Sequence, residues 1–322
     1  MPTTADAATA ADAPDDQLVV AYFGPQATFT EMALDRMLAQ PPEALAERPV
    51  TKLSCASPQH AIAAVRDGRA HYACVPIESS VEGSVPPTMD ALAGGSRVQI
   101  FAEIGLDVAF TIAARAPLAS DEVRTLAAFP VAAAQVRESV ERQFPQAQFV
   151  TASSNSGAAV MVTESAADAA VTTAAAAGLH NLVALADSVA DIDDARTRFV
   201  LVGQPAPPPP RTGADCTSLV FDLPNLPGSL MRAMDEFASR GIDLTRIESR
   251  PRRGESGRYN FFIDAVGHLD DAAVAEALGA LHRHAADLRY LGSWPAERPT
   301  GAPPPDHSAS MHWLSRMRAG QL

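Results

Sequence analysis

Four consecutive prolines, Pro207–Pro210 in the stretch PAPPPPR, limit what this chain can fold into more than any other feature. Proline fixes φ and removes the amide hydrogen, so such a run enters neither a helix interior nor a central strand. It extends instead as a polyproline helix. Residues 204–216 are therefore expected to form a stiff linker, with separate folding units on either side. The chain has 322 residues, 47% of them hydrophobic, which is enough to build a core on each side.

Ahead of the linker, short apolar runs alternate with segments of helical period. Leu18–Phe23, His71–Ile77, Val98–Ile104, Leu106–Ile112, Thr125–Phe129, Ala147–Thr151, Ala169–Thr172 and Val200–Val202 read as strands, with Gly105 as the break between the third and fourth. Helices are expected over Glu31–Leu38, Ser57–Asp67, Val131–Gln143, Ala158–Glu164 and Ala174–Gly178. Such alternation over residues 18–203, crossing out near 100–110 and back near 180–190, implies an α/β fold of two lobes around a cleft. Residues 217–294 show clearer periods, in the order strand, helix, strand, strand, helix, strand. That is the ferredoxin-like βαββαβ order. Residues 1–17 read as an acidic disordered tail, and residues 295–322 as a proline-rich tail in which Met311, Leu314 and Met317 allow a short helix.

The formal charge of −13 argues against a general attraction to nucleic acid or anionic membrane. Lys52 is the sole lysine, so Schiff-base chemistry has one candidate and no visible partner for it. Cys55, Cys74 and Cys216 fall at neither metal-binding nor paired spacing, and the N-terminus has no basic-then-apolar leader. A reducing cytoplasm is the expected compartment. No run is apolar for long enough to span a bilayer. Dinucleotide, phosphate-loop and HExxH motifs are missing, and neither metal nor cofactor is expected. The isolated His60, His71 and His180 read as surface or packing residues.

Four polar stretches are the places for chemistry. Gly24–Thr30 leads from a strand into a helix; Thr28 or Thr30 can cap it, and its first-turn amides make an anion-binding end. Glu78–Ser84 follows the strand that ends at Ile77. Glu78 is there either a carboxylate whose pKa burial raises or a solvated cap. Ser153–Gly157 offers capping hydroxyls. Last, Asp191–Gly203, DIDDARTRFVLVG, sets Thr197, Arg198 and Phe199 at the mouth of a strand, where α/β sheets gather ligands.

Taken together these stretches resemble the prephenate dehydratase family over about residues 18–294. Gly24–Thr30 is similar to the family's GPxGTFS. Pro76–Leu92 is similar to PIENSxxGxVxxTxDxL, matching at Pro76, Ile77, Glu78, Ser80, Gly83, Val85, Thr88, Asp90 and Leu92. Thr197-Arg198-Phe199 is the TRF signature, while Asn225–Leu230 and Glu248–Pro251 resemble the two effector motifs of an ACT regulatory domain. Ala27, Ser79, Asp194 and Ser229 stand where glycine, asparagine, asparagine and alanine are usual.

The resemblance implies a two-lobed, periplasmic-binding-protein-like catalytic domain over residues 18–203 and an ACT domain over residues 217–294. It implies conversion of prephenate to phenylpyruvate in L-phenylalanine biosynthesis, with loss of carbon dioxide and water, driven by aromatisation and needing no cofactor. Thr197 is then the essential residue, Arg198 suits a carboxylate clamp, and Glu78 is a candidate proton relay. Thr28, Ser79, Ser80, Ser154 and Phe199 are expected to line the cleft. In the ACT domain, Asn225, Pro227, Gly228, Ser229, Leu230, Glu248, Ser249, Arg250 and Pro251 are expected to hold L-phenylalanine between paired domains. Allosteric control and a homodimer or homotetramer follow. The alternatives are arogenate dehydratase, whose substrate carries an amine in place of the keto group, and a non-catalytic amino-acid-sensing binding protein.

Overall fold

The computed structural model describes residues 17–321 other than Glu47, Arg253 and Ser256. The tail expected over residues 1–17 lies, apart from Gln17, outside the described residues. Contacts divide the chain into two compact units: Met1–Ala91 with Ile104–Gly203, and Leu92–Glu103 with Gln204–Leu322.

Up to Gly203 the elements are β1 (Leu18–Phe23), α1 (Phe29–Ala39), β2 (Val50–Cys55), α2 (Pro58–Arg66), β3 (Tyr72–Ser79), β4 (Gly83–Ser84), α3 (Pro86–Ala93), β5 (Gln99–Asp107), β6 (Thr111–Ala114), β7 (Thr125–Ala128), α4 (Pro130–Gln135), α5 (Arg137–Gln143), β8 (Gln148–Thr151), α6 (Asn155–Thr163), β9 (Ala169–Thr172), α7 (Ala174–Leu179), β10 (Val183–Ala186) and β11 (Arg196–Gly203). They build two sheets. The first runs β2-β1-β3-β11-β5, with β4 beside β3, and the second runs β10-β6-β9-β7-β8. β1 pairs in parallel with β2 and β3, while β11 returns antiparallel to β3. β1 reads LVVAYF and buries its first five residues, as a central strand covered on both faces must. The second lobe has its own core, around Ile112, Leu126, Val140 and Val171.

Several boundaries differ from the sequence expectation, each for a physical reason. Gly105 does not break a strand; β5 runs through it. A Cβ there would meet the Arg196 guanidinium, so glycine marks a close side-chain crossing and not a turn. The helix expected over Val131–Gln143 is two helices, hinged at Val136 with φ −124° and ψ 9°. Asp191 holds the second start from far along the chain, its carboxylate accepting from the amides of Glu138 at 3.0 Å and Ser139 at 2.8 Å. β3 extends past Ile77 to take in Glu78 and Ser79, and Thr197, Arg198 and Phe199 lie inside β11 and not ahead of it. β2, β4, α3 and β10 have no counterpart among the expected elements.

The second unit continues with β12 (Asp215–Asp222), α8 (Ser229–Ala238), β13 (Leu244–Pro251), β14 (Tyr259–Val266), α9 (Ala272–His284), β15 (Asp287–Pro295) and α10 (Ser308–Arg318). Its antiparallel sheet, ordered β13-β14-β12-β15, is the ferredoxin-like arrangement expected. Leu219, Phe221 and Ile263 pack against Phe237, Val274 and Leu281 of the two helices. The tail does form a helix, α10, but none of its residues is buried. No helix among the described residues is long and apolar enough to cross a membrane.

Asp168 ties the start of β7 to that of β9. Its carboxylate accepts from the Thr125 amide at 2.8 Å, the Thr125 hydroxyl at 2.9 Å and the Arg124 amide at 3.0 Å. The Thr125 amide, followed by the Thr125 hydroxyl, holds this carboxyl below its ordinary value of 3.8. A lowered folded-state value means that the contribution is complete above the ordinary value and lost as pH falls through the folded one. Asp168→Ala is expected to cost about 1–3 kcal/mol at pH 7. In urea unfolding the gap from wild type should shrink below about pH 4.

Candidate active site

A cavity of about 630 Å³ opens in the first unit. One wall is Phe23, Thr28–Thr30, Pro76, Ser79, Thr197 and Phe199, from the first sheet and its helices; the other includes Val108, Phe110, Phe129, Gln135 and Ser153–Asn155. Phe29 and Phe110 meet edge to face with centroids 5.5 Å apart, joining the two walls with apolar surface.

The polar lining is built almost wholly of hydroxyls and amides. Among the described residues that line the cavity there is no Lys, Arg or His, and Glu82, which is exposed, is the one carboxylate. Positive potential comes from the main chain. Thr28–Thr30 opens α1, Ser57–Gln59 opens α2 and Ser153–Asn155 opens α6, and all three starts are in the wall. First-turn amides lack intrahelical partners and carry the positive end of the helix dipole. Such starts can offer amides to an anion without a basic side chain, α1 and α6 more than α2, which begins with Pro58 and gives its His60 amide to Ser57 Oγ at 3.2 Å. α3 also begins here, but Pro86 and Pro87 have no amide hydrogen to give.

Local sequence explains these positions. Gly24 has φ +114°, and a Cβ on it would lie 2.8 Å from Thr28 Oγ1, so only glycine lets Thr28 fold back to donate to Pro25 O at 3.1 Å. Ser154 caps α6 by accepting from the Gly157 amide at 2.8 Å. Ser79 Oγ accepts from the Val81 amide at 3.2 Å and the Glu82 amide at 3.4 Å, which shapes the turn into β4. Directly across the ladder from Ser79 stands Thr197.

Thr28, Ser79, Ser154, Thr197 and Phe199 thus border one cavity. Glu78, Ser80 and Arg198 do not. Alternation along β3 and β11 turns Glu78 and Arg198 to the face opposite Ser79 and Thr197. There Arg198 Nη1 donates to Glu78 Oε2 at 3.3 Å. Expecting Arg198 to clamp a ligand carboxylate and Glu78 to relay a proton from inside the cleft does not match this placement. Ser80 serves the ladder as well: its hydroxyl accepts from the Arg196 amide at 2.9 Å, and its own amide donates to Arg196 O at 2.8 Å.

Sequence reasoning missed Asn155, Gln135, Phe110 and Glu82. Asn155 Oδ1 is buried and has no hydrogen-bond partner among the described residues, although its residue lines the cavity. It sits in the SSNSG stretch, whose hydroxyls alone read as caps. For Gln135 and Phe110 the sequence offers no local signal. No cluster of three or more potential metal ligands occurs among the described residues.

In the second unit, Asn225–Gly228 form an exposed loop before α8, and Gly228 takes φ +78° at the helix cap. Asn225 approaches the β13–β14 hairpin, its Nδ2 lying 3.5 Å from the Cβ position of Gly257. Glu248, Ser249, Arg250 and Pro251 lie on β13, an edge strand. Glu248 pairs with Arg250 at 3.5 Å, and Arg246 grips the buried Asp264 through two bonds of 3.0 Å.

Comparison with known proteins agrees with both units. Residues 20–207 match the family model described as prephenate dehydratase, and residues 217–283 match the ACT domain. A prephenate dehydratase of Mycobacterium tuberculosis is 56% identical over 308 residues, covering 94% of each chain. Among solved structures, the Arthrobacter aurescens prephenate dehydratase in complex with L-Phe is 38% identical with a TM-score of 0.83, covering 94% of this chain and all of that one. Another, GqqA, described as a novel type of quorum-quenching acylase, is 31% identical with a TM-score of 0.73, covering 87% of this chain and 98% of that one. With a family model across most of the first unit and more than half the residues shared with a curated relative along nearly the whole length, this chain belongs to the prephenate dehydratase family, a group of hydro-lyases.

Proposed function

We propose that residues 18–203 convert prephenate to phenylpyruvate for L-phenylalanine biosynthesis. Residues 217–294, joined through the linker 204–216, act as an ACT domain that senses L-phenylalanine. The observation that carries this reading is a cavity able to hold a dianion with main-chain donors, walled elsewhere by phenyl rings. A carboxylate suits the starts of α1 and α6, which border the cavity. The ring suits Phe29, Phe110, Phe129 and Phe199, whose bulk also excludes water from the reacting centre.

The reaction breaks the bond from the ring to its carboxylate, which departs as carbon dioxide. The released electron pair moves through the diene and expels the hydroxyl, which takes up a proton and leaves as water. Thr197 Oγ1 is the group proposed to meet that departing oxygen, with Ser79 beside it. An aliphatic hydroxyl is too weak an acid to give up its proton at neutral pH, so Thr197 acts as a fixed hydrogen-bond donor that stabilises the developing charge. An acylase, the description one similar structure carries, would use an activated nucleophile beside a base. The hydroxyls of this cavity have neither histidine nor lysine among its described lining.

For the second unit, support comes from apolar side chains that no described residue covers. Leu226 is 62% exposed, Met231 73% and Ile247 53%, beside an edge strand with one hydrogen-bonding side open. A second copy of the domain would cover them, and a homodimer or homotetramer that binds L-phenylalanine between paired domains fits that surface. The free Cys55, Cys74 and Cys216 suit a reducing cytoplasm.

Thr197→Val is expected to lower kcat for prephenate by about 10²–10³-fold with little change in KM. Asn155→Leu removes a buried acceptor that has no hydrogen-bond partner among the described residues. Its thermal stability should stay within about 1 kcal/mol of wild type while kcat/KM falls about tenfold or more. Parallel incubations with prephenate and arogenate, reading phenylpyruvate and phenylalanine, decide the substrate; faster turnover of arogenate would replace this reading with the arogenate one. Titrated L-phenylalanine should change both activity and sedimentation, and no change in either would remove the regulatory role.

A further inference from the structure

Ala27 adopts φ +63°, in the left-handed region that side chains other than glycine rarely enter. Every part of the residue is held there. Its amide donates to Glu31 Oε2 at 2.6 Å, and Glu31 Oε1 in turn accepts from Lys52 Nζ at 3.2 Å. Lys52, the only lysine in the chain, also pairs with Asp35. The Ala27 carbonyl accepts from Thr173 Oγ1 at 2.8 Å, across a sequence separation of 146 residues. That same hydroxyl oxygen caps α7 by accepting from the Ala176 amide at 3.0 Å. The Ala27 methyl is buried with Ala159 of α6 and Ala176 of α7.

The spacing Thr28-x-x-Glu31 is that of a capping box, in which the glutamate reaches back to the amide of the capping residue. Here the bond lands one residue further out, on Ala27, and Thr28 makes no side-chain cap bond. The bond therefore fixes the turn that delivers Thr28 to the cavity. Glu31 and Lys52 belong to the first lobe, Thr173, Ala159 and Ala176 to the second. The two sets meet on a single residue, one at its amide and the other at its carbonyl and methyl.

We propose that Ala27 is the latch that joins the lobes beside the cavity, and that Glu31, Lys52 and Thr173 are positioning residues that set Thr28 and the first turn of α1 through it. A methyl stands where glycine is usual because it fills the alanine-lined seat on the far lobe, which a glycine would leave empty. The kinetic half of this proposal rests on the reading of the cavity as the prephenate site; the latch itself does not.

The test uses the full-length chain with Thr173→Val, Thr173→Ser, Lys52→Met and Lys52→Arg. Turnover of prephenate is measured beside hydrogen exchange of the amides of Ala27 and Ala176. Thr173→Val should speed exchange at both amides and lower kcat/KM by about 10- to 100-fold, the scale of a catalytic group displaced by about 1 Å. Thr173→Ser should restore both. Lys52→Met should speed exchange at Ala27 alone and lower kcat/KM, with Lys52→Arg restoring both. A merely structural role would lower thermal stability and leave kcat and KM at wild-type values below the transition. That result, or exchange at Ala27 unchanged in both Thr173→Val and Lys52→Met, overturns the proposal. Should Thr173→Val fail to fold, Lys52→Met and its arginine rescue still decide. If wild type turns over no prephenate yet the exchange pattern appears, the functional reading fails and the latch stands.

Discussion

Antiparallel pairing of β11 with β3 is the constraint on which the cavity depends. The ladder sets Thr197 opposite Ser79 and Arg198 opposite Glu78, with a register shift before Phe199 meets Pro76. Side chains alternate faces along a strand, so a slip of one residue would exchange the hydroxyl pair for the ion pair. Val200, Leu201 and Val202, all fully buried against the interior, make that slip costly. The position of two polar residues at the rim is thus secured by apolar residues further along the same strand.

That ladder also separates two kinds of charge handling. The ion pair of Glu78 and Arg198 is partly exposed, and an exposed pair adds little to stability. The cavity side relies on helix starts and hydroxyls, which need no counter-charge and do not titrate near neutrality. A chain of net charge −13 can in this way receive an anion at one place while repelling it elsewhere.

Much of this was legible in the sequence where a residue's role is local. β1 and β9 announce themselves as short apolar runs, and Ser154 sits where a capping hydroxyl belongs. The βαββαβ order of the second unit follows from plain periodicities. What escaped was set by partners far along the chain. Gly105 reads as a break until Arg196 is seen crossing it, and the hinge at Val136 follows from Asp191 capping the next helix. β2, VTKLSC, is half-buried and polar enough to show no strand signal. The prolines at the start of α3 look like breakers, although a first helical position tolerates them. For the site, residue types marked the right stretches, but which face each side chain took depended on register. Hence Thr197 and Ser79 reach the cavity and Arg198 and Glu78 do not.

The proposed recognition of charge by main-chain amides has an evolutionary corollary. Point substitution can neutralise an arginine or a lysine, but it leaves a helix start in place unless a proline or a deletion disturbs the backbone. Side chains bordering the cavity can therefore drift, redrawing the space offered to a ring or chain, while affinity for a negative group persists. A scaffold of this kind can acquire new substrates without first losing the means to hold them.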